Sequence, residues 1–294
     1  LEVALPGNAC IAKSAIENPK IKVSVKEIGA ELTSFFDKEN SIEYLWQGNP
    51  DIWSGQAPIL FPIIGRLLND KYTLNGKEYS MPKHGLVRKK AFSLIEKKND
   101  EMTFLITADD NTRAAYPFEF ELYVNYKLID RKLEVKHTVK NINNITMYFS
   151  IGAHPAFNCE IGDYLEFDEN ETLISEKIDL IDSIRIDDTY PVLNNEKKIV
   201  ITKDIFNEDA LILSGIKSDY ITLKSNNHNR FVRFYLGKPK YLGIWAKPGA
   251  PYVCIEPWDG VNDSYHKKSD FSQKDAILRL EPQKAYEFIW TAEI

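Results

Sequence analysis

Four polar residues stand at the ends of apolar segments that we interpret as strands, where side chains can be held firmly enough to do chemistry. They are Arg66, His84, His154 and Glu256. His154 follows the apolar run 147–153 and precedes a proline, which biases its backbone toward an extended conformation. Glu256 follows a similar run and also precedes a proline, and burial there would raise its pKa toward the range of a general base. Both residues are therefore candidates for catalysis, which needs firmly held groups.

Each of these residues also has a structural explanation. His154 could be a core histidine satisfied by hydrogen bonds, and Glu256 could form an ion pair with Arg66 or a lysine. Two histidines and a glutamate could bind a metal, but no H-x-x-x-H or H-x-H spacing occurs, so we expect no metal site. Arg66 ends an apolar segment with two prolines, where a buried guanidinium is costly without a partner or a ligand. The sequence has neither a glycine-rich phosphate loop nor a G-x-S-x-G elbow.

The composition argues against nucleic acid and membranes as partners. The 294 residues carry a net charge of −6, from 37 basic and 43 acidic residues. No apolar run approaches the length of a membrane span, and the N-terminal segment lacks the apolar core of a signal peptide. Three cysteines (Cys10, Cys159 and Cys254) form no C-x-x-C motif, so we expect a reducing, cytoplasmic setting without a disulfide framework.

Strand patterns dominate the chain and sustained helical periods are lacking. Apolar residues alternate over 118–128 and again over 133–139, and Asn-Gly at 75–76 predicts the tip of a hairpin. His137 is in phase with apolar neighbours, which indicates a core histidine. The acidic segment 164–190 predicts short strands and long loops.

These patterns predict an all-β fold, a large antiparallel β-sandwich. We expect one domain over residues 16–294, since the sequence contains no linker, repeat or low-complexity segment. Residues 1–15 show no strand pattern and are interpreted as a loose arm or an expression remnant.

Several short motifs resemble those of the aldose 1-epimerase (galactose mutarotase) family, in particular its bacterial mutarotase-related branch. The resemblance runs from about residue 16 to the C-terminus. The motifs are G-R-x-x-N at 65–69, H-G at 84–85, H-x-x-F-N at 154–158, the late Glu256 and an aspartate, Asp209.

The resemblance implies a large antiparallel sandwich with an open cleft and an enzyme, an isomerase, that interconverts α and β anomers of a free sugar. It implies that Glu256 is the base for the anomeric hydroxyl and His154 the acid for the ring oxygen, the roles being exchanged when the ring closes. His84, Arg66 and Asp209 would bind the sugar. The family uses no cofactor, and we expect a monomer or homodimer whose partner is a small-molecule sugar.

The sequence departs from the galactose mutarotase pattern at a few positions and does not name the sugar. Asp70 stands where a second arginine is usual, Leu86 replaces a second glycine, and Pro257-Trp258 follows the glutamate. Basic residues around His84 leave a hexose 6-phosphate open as the substrate: Lys83, Arg88 and Lys89.

Two other classes of function remain open from the sequence. A non-catalytic sugar sensor or lectin would keep the cleft but would not need both Glu256 and His154. A glycoside hydrolase or lyase needs paired carboxylates, for which Asp259 and Asp263 stand close to Glu256 in the sequence.

Overall fold

The computed structural model describes residues 12–294, in which strands predominate. The helical elements are one α-helix, α1 (Asp110–Ala115), and three 3₁₀ turns, Leu68–Asp70, Val87–Lys89 and Phe271–Gln273. The strands, β1 to β23 in chain order, are Lys13–Glu17, Ile21–Lys26, Glu31–Asp37, Ile42–Glu43, Ile59–Leu60, Lys71–Leu74, Lys77–Ser80, Ser93–Lys97, Glu101–Thr107, Phe120–Ile129, Lys132–Asn141, Met147–Phe149, Ile151–Ala153, Ala156–Asn158, Tyr164–Ile178, Arg185–Val200, Leu211–Ser214, Tyr220–Lys224, Phe231–Tyr235, Tyr241–Trp245, Tyr252–Asp259, Leu278–Leu280 and Ala285–Glu293.

The clearest sequence pattern forms a long hairpin. Strands β10 and β11 pair antiparallel from Phe120 opposite Asn141 to Ile129 opposite Lys132, and every second residue is buried. This alternation places one face of the hairpin in the core, since successive side chains of a strand point to opposite faces. His137 lies on the buried face with 1% of its surface exposed, which confirms the prediction of a core histidine.

A large antiparallel sheet organises the rest of the chain. Its strand order is β5-β13-β21-β20-β17-β15-β18-β19-β23-β11-β10-β9-β8, with β14 also paired to β21 and β16 to β15. Its apolar side chains join those of the sheet β1-β2-β3-β4 in one extensive core, as the predicted β-sandwich requires. The strands β21, β13 and β14 bring the candidate catalytic residues together near one end of this strand order.

The hairpin predicted from Asn-Gly is confirmed. Strands β6 and β7 pair across Asn75 and Gly76, both of which have positive φ (51° and 77°). This is the backbone of a two-residue hairpin turn in which both central residues are left-handed. The hairpin leads the chain to His84.

Two predictions of local structure were wrong. Lys13–Glu17 is a strand paired with β2, and Ile16 is buried, so the predicted arm extends no further than residue 12; residues 1–11 lie outside the described part of the chain. The acidic segment 164–190 forms much of two long paired strands, β15 and β16, and not short strands with long loops.

None of the helices in residues 12–294 has the length and apolar character needed to cross a bilayer. The cysteines of this part of the chain, Cys159 and Cys254, are both buried free thiols. Cys10 lies outside the described residues.

Candidate active site

A cleft of about 500 Å³ brings together four of the five sequence-predicted site residues. His84, His154, Asp209 and Glu256 all line it. Its volume lies in the range typical of small-molecule sites.

Interrupted strand pairing explains how His154 and Glu256 meet. Strand β21 pairs with β14 through residues 252–254 and with β13 through residues 258–259. The residues between these two ladders therefore face the His154-Pro155 connection. The N–H of Ile255 donates to the carbonyl of Pro155 at 3.2 Å, which ties the connection to the strand.

The two side chains are in direct contact. The distance between Nε2 of His154 and Oε1 of Glu256 is 3.3 Å, and their side chains are 9% and 1% exposed. Nδ1 of His154 and Oε2 of Glu256 are buried without a hydrogen-bond partner among the described residues. Glu256 lies inside β21 and not at its end as the sequence predicted, whereas His154 does follow a strand end.

Burial favours the neutral forms of both groups. It raises the pKa of Glu256 well above its usual value, and the charge of Asp209 adds to this, while the Trp258 indole and Lys83 oppose it. Burial also lowers the pKa of His154 to about 3. Close contact couples the two titrations, so the pair holds one proton over a wide pH range.

His84 is held in a defined orientation at the cleft wall. Its backbone is left-handed (φ 65°), its N–H donates to the carbonyl of Gly65 at 2.7 Å, and its Nδ1 accepts from the N–H of Gly65 at 3.2 Å. Burial lowers the pKa of His84, so the neutral ring carries its proton on Nε2. At Gly85, a Cβ would lie 2.1 Å from the carbonyl oxygen of Phe61, which explains the glycine after this histidine.

Tryptophans that the sequence did not single out surround the pair. Trp53 stacks on His154 with ring centroids 5.2 Å apart, and Trp245 meets it edge-on at 5.7 Å. Trp245 lies opposite Cys254 in the neighbouring strand, so strand register brings it here. Trp53 comes from a loop and had no signal beyond its residue type. These aromatic walls keep the pair away from water and offer apolar faces to a ligand.

Asp209 lies in the loop between β16 and β17 with a left-handed backbone (φ 71°). Its Oδ1 accepts from the N–H of Ala210 at 2.8 Å, which fixes the side chain. The carboxylate lines the cleft and can accept hydrogen bonds from a ligand.

Arg66 is not brought into the cleft. Its guanidinium forms two hydrogen bonds with Asp70, Nε to Oδ1 at 2.7 Å and Nη2 to Oδ2 at 2.8 Å. Asp70 is the residue that departs from the family pattern, and it occupies the guanidinium donors that the resemblance assigns to a sugar.

The carboxylates that could have paired with Glu256 lie elsewhere. Asp259 accepts from the Tyr286 hydroxyl at 2.6 Å, and Asp263 forms an ion pair with Lys274 at 3.3 Å. Neither aspartate lines the cleft. The paired-carboxylate arrangement of a glycoside hydrolase is therefore not formed between Glu256 and these residues.

His154, Glu256 and Cys254 have donor atoms within 4.8 Å of one another, the spacing of a metal site. Burial raises the pKa of the Cys254 thiol well above its usual value. A protonated thiol is a poor ligand, because metals bind the thiolate. The donor set thus fits an acid–base pair better than a metal centre.

Comparisons with known proteins agree with the fold and the motifs. The family model for aldose 1-epimerase matches residues 13–274. Protein LacX of Lactococcus lactis subsp. lactis, in its plasmid form, is 33% identical over 282 residues, which cover 91% of this chain and 94% of LacX.

Two solved structures are also similar over nearly their whole length. A galactose mutarotase related enzyme from Lactobacillus acidophilus has a TM-score of 0.91 and 32% identity, covering 96% of this chain and 97% of its own. A galactose mutarotase-like protein from Lactobacillus casei has a TM-score of 0.91 and 30% identity, covering 96% and 99%.

Proposed function

Because the chain belongs to the aldose 1-epimerase family, we propose that it is an isomerase that interconverts the α and β anomers of a hexose. The observation that carries the proposal is the 3.3 Å contact between Glu256 and His154 in the wall of a cleft. Anomer exchange needs an acid and a base near the same anomeric centre, and this contact supplies both.

In the proposed reaction, the Glu256 carboxylate takes the proton of the anomeric hydroxyl while protonated His154 gives a proton to the ring oxygen. The bond between the anomeric carbon and the ring oxygen breaks, and the carbonyl forms. After rotation about the adjacent carbon–carbon bond, Glu256 returns its proton to the carbonyl oxygen and His154 takes back the proton of the hydroxyl. The ring closes on the other face, so atoms and charges balance without a cofactor.

Burial of the pair supports this route. Ring opening moves one proton from His154 to Glu256 through the sugar, which leaves both groups neutral. Burial favours those neutral forms, since it raises the pKa of Glu256 and lowers that of His154. The cleft therefore stabilises the protonation state that accompanies the open-chain sugar.

The remaining cleft residues would orient the sugar. His84 carries its proton on Nε2 and can donate to a sugar oxygen, whereas the carboxylate of Asp209 can accept from a hydroxyl. Trp53 and Trp245 offer apolar faces to the C–H groups of the ring. Arg66 has no part in this scheme, because Asp70 occupies its donors.

The proposal is tested by following anomer exchange by polarimetry or NMR. Glu256→Gln and His154→Asn should each lower kcat by at least about 100-fold, the contribution of a positioned acid or base. The double variant should be little slower than the slower single variant, because the two groups act as one unit. EDTA should leave the rate unchanged, because no step uses a metal.

Matched controls come from buried residues outside the cleft, since Glu171→Gln and His137→Asn make the same chemical changes there. Both controls should keep near-normal kcat. A wild-type protein that binds aldoses but does not accelerate their anomer exchange would be a carbohydrate-binding protein, and the proposal would be wrong.

A further inference from the structure

Two cationic side chains, Lys83 and Arg88, line the same cleft as the His154–Glu256 pair. We call them the cationic wall. Both belong to the basic cluster around His84 in the sequence, and the structure places both in the lining of the cleft. Lys89, their neighbour in the sequence, is exposed and does not line it.

Neither residue of the cationic wall makes a side-chain hydrogen bond or an ion pair within residues 12–294, although Arg88 is partly buried. The charge of Glu31 acts on Arg88, but Glu31 is itself paired with Lys26. Other buried cations of the described chain are paired: Arg185 contacts Glu176 at 2.6 Å, and Lys274 contacts Asp263 at 3.3 Å. An unpaired, partly desolvated guanidinium is unfavourable unless a ligand compensates it.

The backbone holds Arg88 firmly in this place. Arg88 is the middle residue of the 3₁₀ turn Val87–Lys89, in which Val87 is fully buried. The carbonyl oxygen of Arg88 would lie 2.8 Å from a Cβ at Gly29, so the turn packs against bare backbone. A donor group carried on such a fixed turn is suited to ligand recognition, because less conformational entropy is lost when the ligand binds.

The charge balance of the cleft also differs from that of the chain. Burial favours neutral Glu256, His84 and His154, which leaves two cations facing the single carboxylate of Asp209. The whole chain, in contrast, carries a net charge of −6. A local excess of positive charge in a cleft raises the concentration of anionic ligands there.

We propose that the substrate is an aldose with an anionic group, a phosphate ester or a carboxylate, and that Arg88 and Lys83 bind this group. The inference rests on the proposed function, since the anomeric carbon must lie at the His154–Glu256 pair. The anionic group then lies on a carbon other than the anomeric one, because the reaction needs a free anomeric hydroxyl. The planar guanidinium of Arg88 can bind two oxygens of either anion, and Lys83 adds a point charge.

The test compares kcat/KM for anomer exchange of a free hexose, its 6-phosphate and its uronic acid in a phosphate-free buffer. The wild-type protein should prefer at least one anionic aldose over the free hexose by about tenfold or more, the effect of one charge-assisted hydrogen bond. Preference for the 6-phosphate alone identifies a phosphate-ester substrate, and preference for the uronic acid alone a carboxylate.

Variants assign the effect to the cationic wall. Arg88→Gln should lower the ratio of kcat/KM for the preferred anionic aldose to that for the free hexose by about tenfold, mainly through KM. Lys83→Gln should lower the same ratio, and Arg88→Lys should lower it less than Arg88→Gln. Lys89→Gln, which removes an exposed charge one residue away, should leave the ratio unchanged.

Two outcomes would overturn the inference without touching the proposed function. One is a wild-type protein that uses the free hexose as well as both anionic aldoses; the other is an Arg88→Gln variant with an unchanged ratio. Failure to accelerate anomer exchange for every aldose would instead refute the proposed function. Should Arg88→Gln fail to fold, Lys83→Gln and Arg88→Lys decide the matter.

Discussion

The one-proton state of the His154–Glu256 pair predicts an unusual pH profile for kcat. Two independent groups with ordinary pKa values would be active only between the pKa of a glutamate and that of a histidine. Their activity would fall about 16-fold between about pH 6.5 and 8, as the histidine lost its proton. The structure predicts otherwise, because the proton belongs to the pair.

The acid and alkaline limits of the pH range in which kcat stays constant follow from the directions of the two pKa shifts. On the acid side, a second proton must enter the pair, and burial lowers the pKa of His154 to about 3. On the alkaline side, the last proton must leave, and burial raises the pKa of Glu256, which delays that loss. We therefore expect kcat to vary by less than about twofold between about pH 5 and 8.

The assay is polarimetry at saturating sugar in phosphate-free buffers of constant ionic strength. The spontaneous rate, measured at each pH without protein, is subtracted, because acids and bases catalyse anomer exchange by themselves. Unfolding at each pH is followed by circular dichroism. A tenfold or greater fall of kcat with a midpoint near pH 6.5, in protein that stays folded, would refute the shared-proton reasoning.

Three further predictions test the packing. Burial lowers the pKa of His137 to about 4, so below pH 6.5 the unfolded chain binds a proton that the folded chain does not bind. The free energy of unfolding therefore falls as the pH is lowered from 7 to 5, and His137→Phe should reduce this fall by about 2 kcal/mol in urea titrations. A Cβ at Gly243 would lie 2.4 Å from the Trp258 ring, so Gly243→Ala should destabilise by about 1–3 kcal/mol and lower kcat. Because burial raises its pKa, the Cys254 thiol should resist iodoacetamide in the folded protein and react only after unfolding, as peptide mass spectrometry would show.

Local patterns were sufficient for the hairpins of this fold. The Asn-Gly hairpin and the long β10–β11 hairpin depend on residues close in sequence, and both follow from turn chemistry and two-residue alternation. Strands β15 and β16 were missed because their register shifts at several bulges, between Glu166 and Glu171 among others. Each bulge breaks the alternation that a sequence pattern would show.

The site residues that belong to short sequence motifs could be predicted, whereas those that reach the cleft through strand order and long-range packing could not. The motifs placed His84, His154, Asp209 and Glu256 in one site, and the structure brings all four to one cleft. Trp245 arrives through cross-strand register, and Arg88 through a turn that packs on a distant glycine. No spacing of residues in the sequence predicts that Trp245 or Arg88 lies at the cleft.

The pairing of Arg66 could have been recognised from the sequence. Arg66 and Asp70 stand four residues apart, and their side chains contact each other across the turn that contains Leu68–Asp70. The aspartate at this position is the departure from the family pattern, and it accepts two hydrogen bonds from the Arg66 guanidinium. A departure next to a motif residue is thus evidence about that residue's partner as well as about the substrate.

The two prolines that follow His154 and Glu256 have a common physical basis. The N–H of Ile255 points toward Pro155, and N–H groups two residues apart lie on the same side of a strand. Pro257, which has no N–H, therefore faces the interruption between β13 and β14, where no ladder partner would accept one. Pro155 lies in the interruption itself. Both prolines thus stand where the sheet leaves its ladder open, and this opening lets the imidazole of His154 reach the carboxyl group of Glu256.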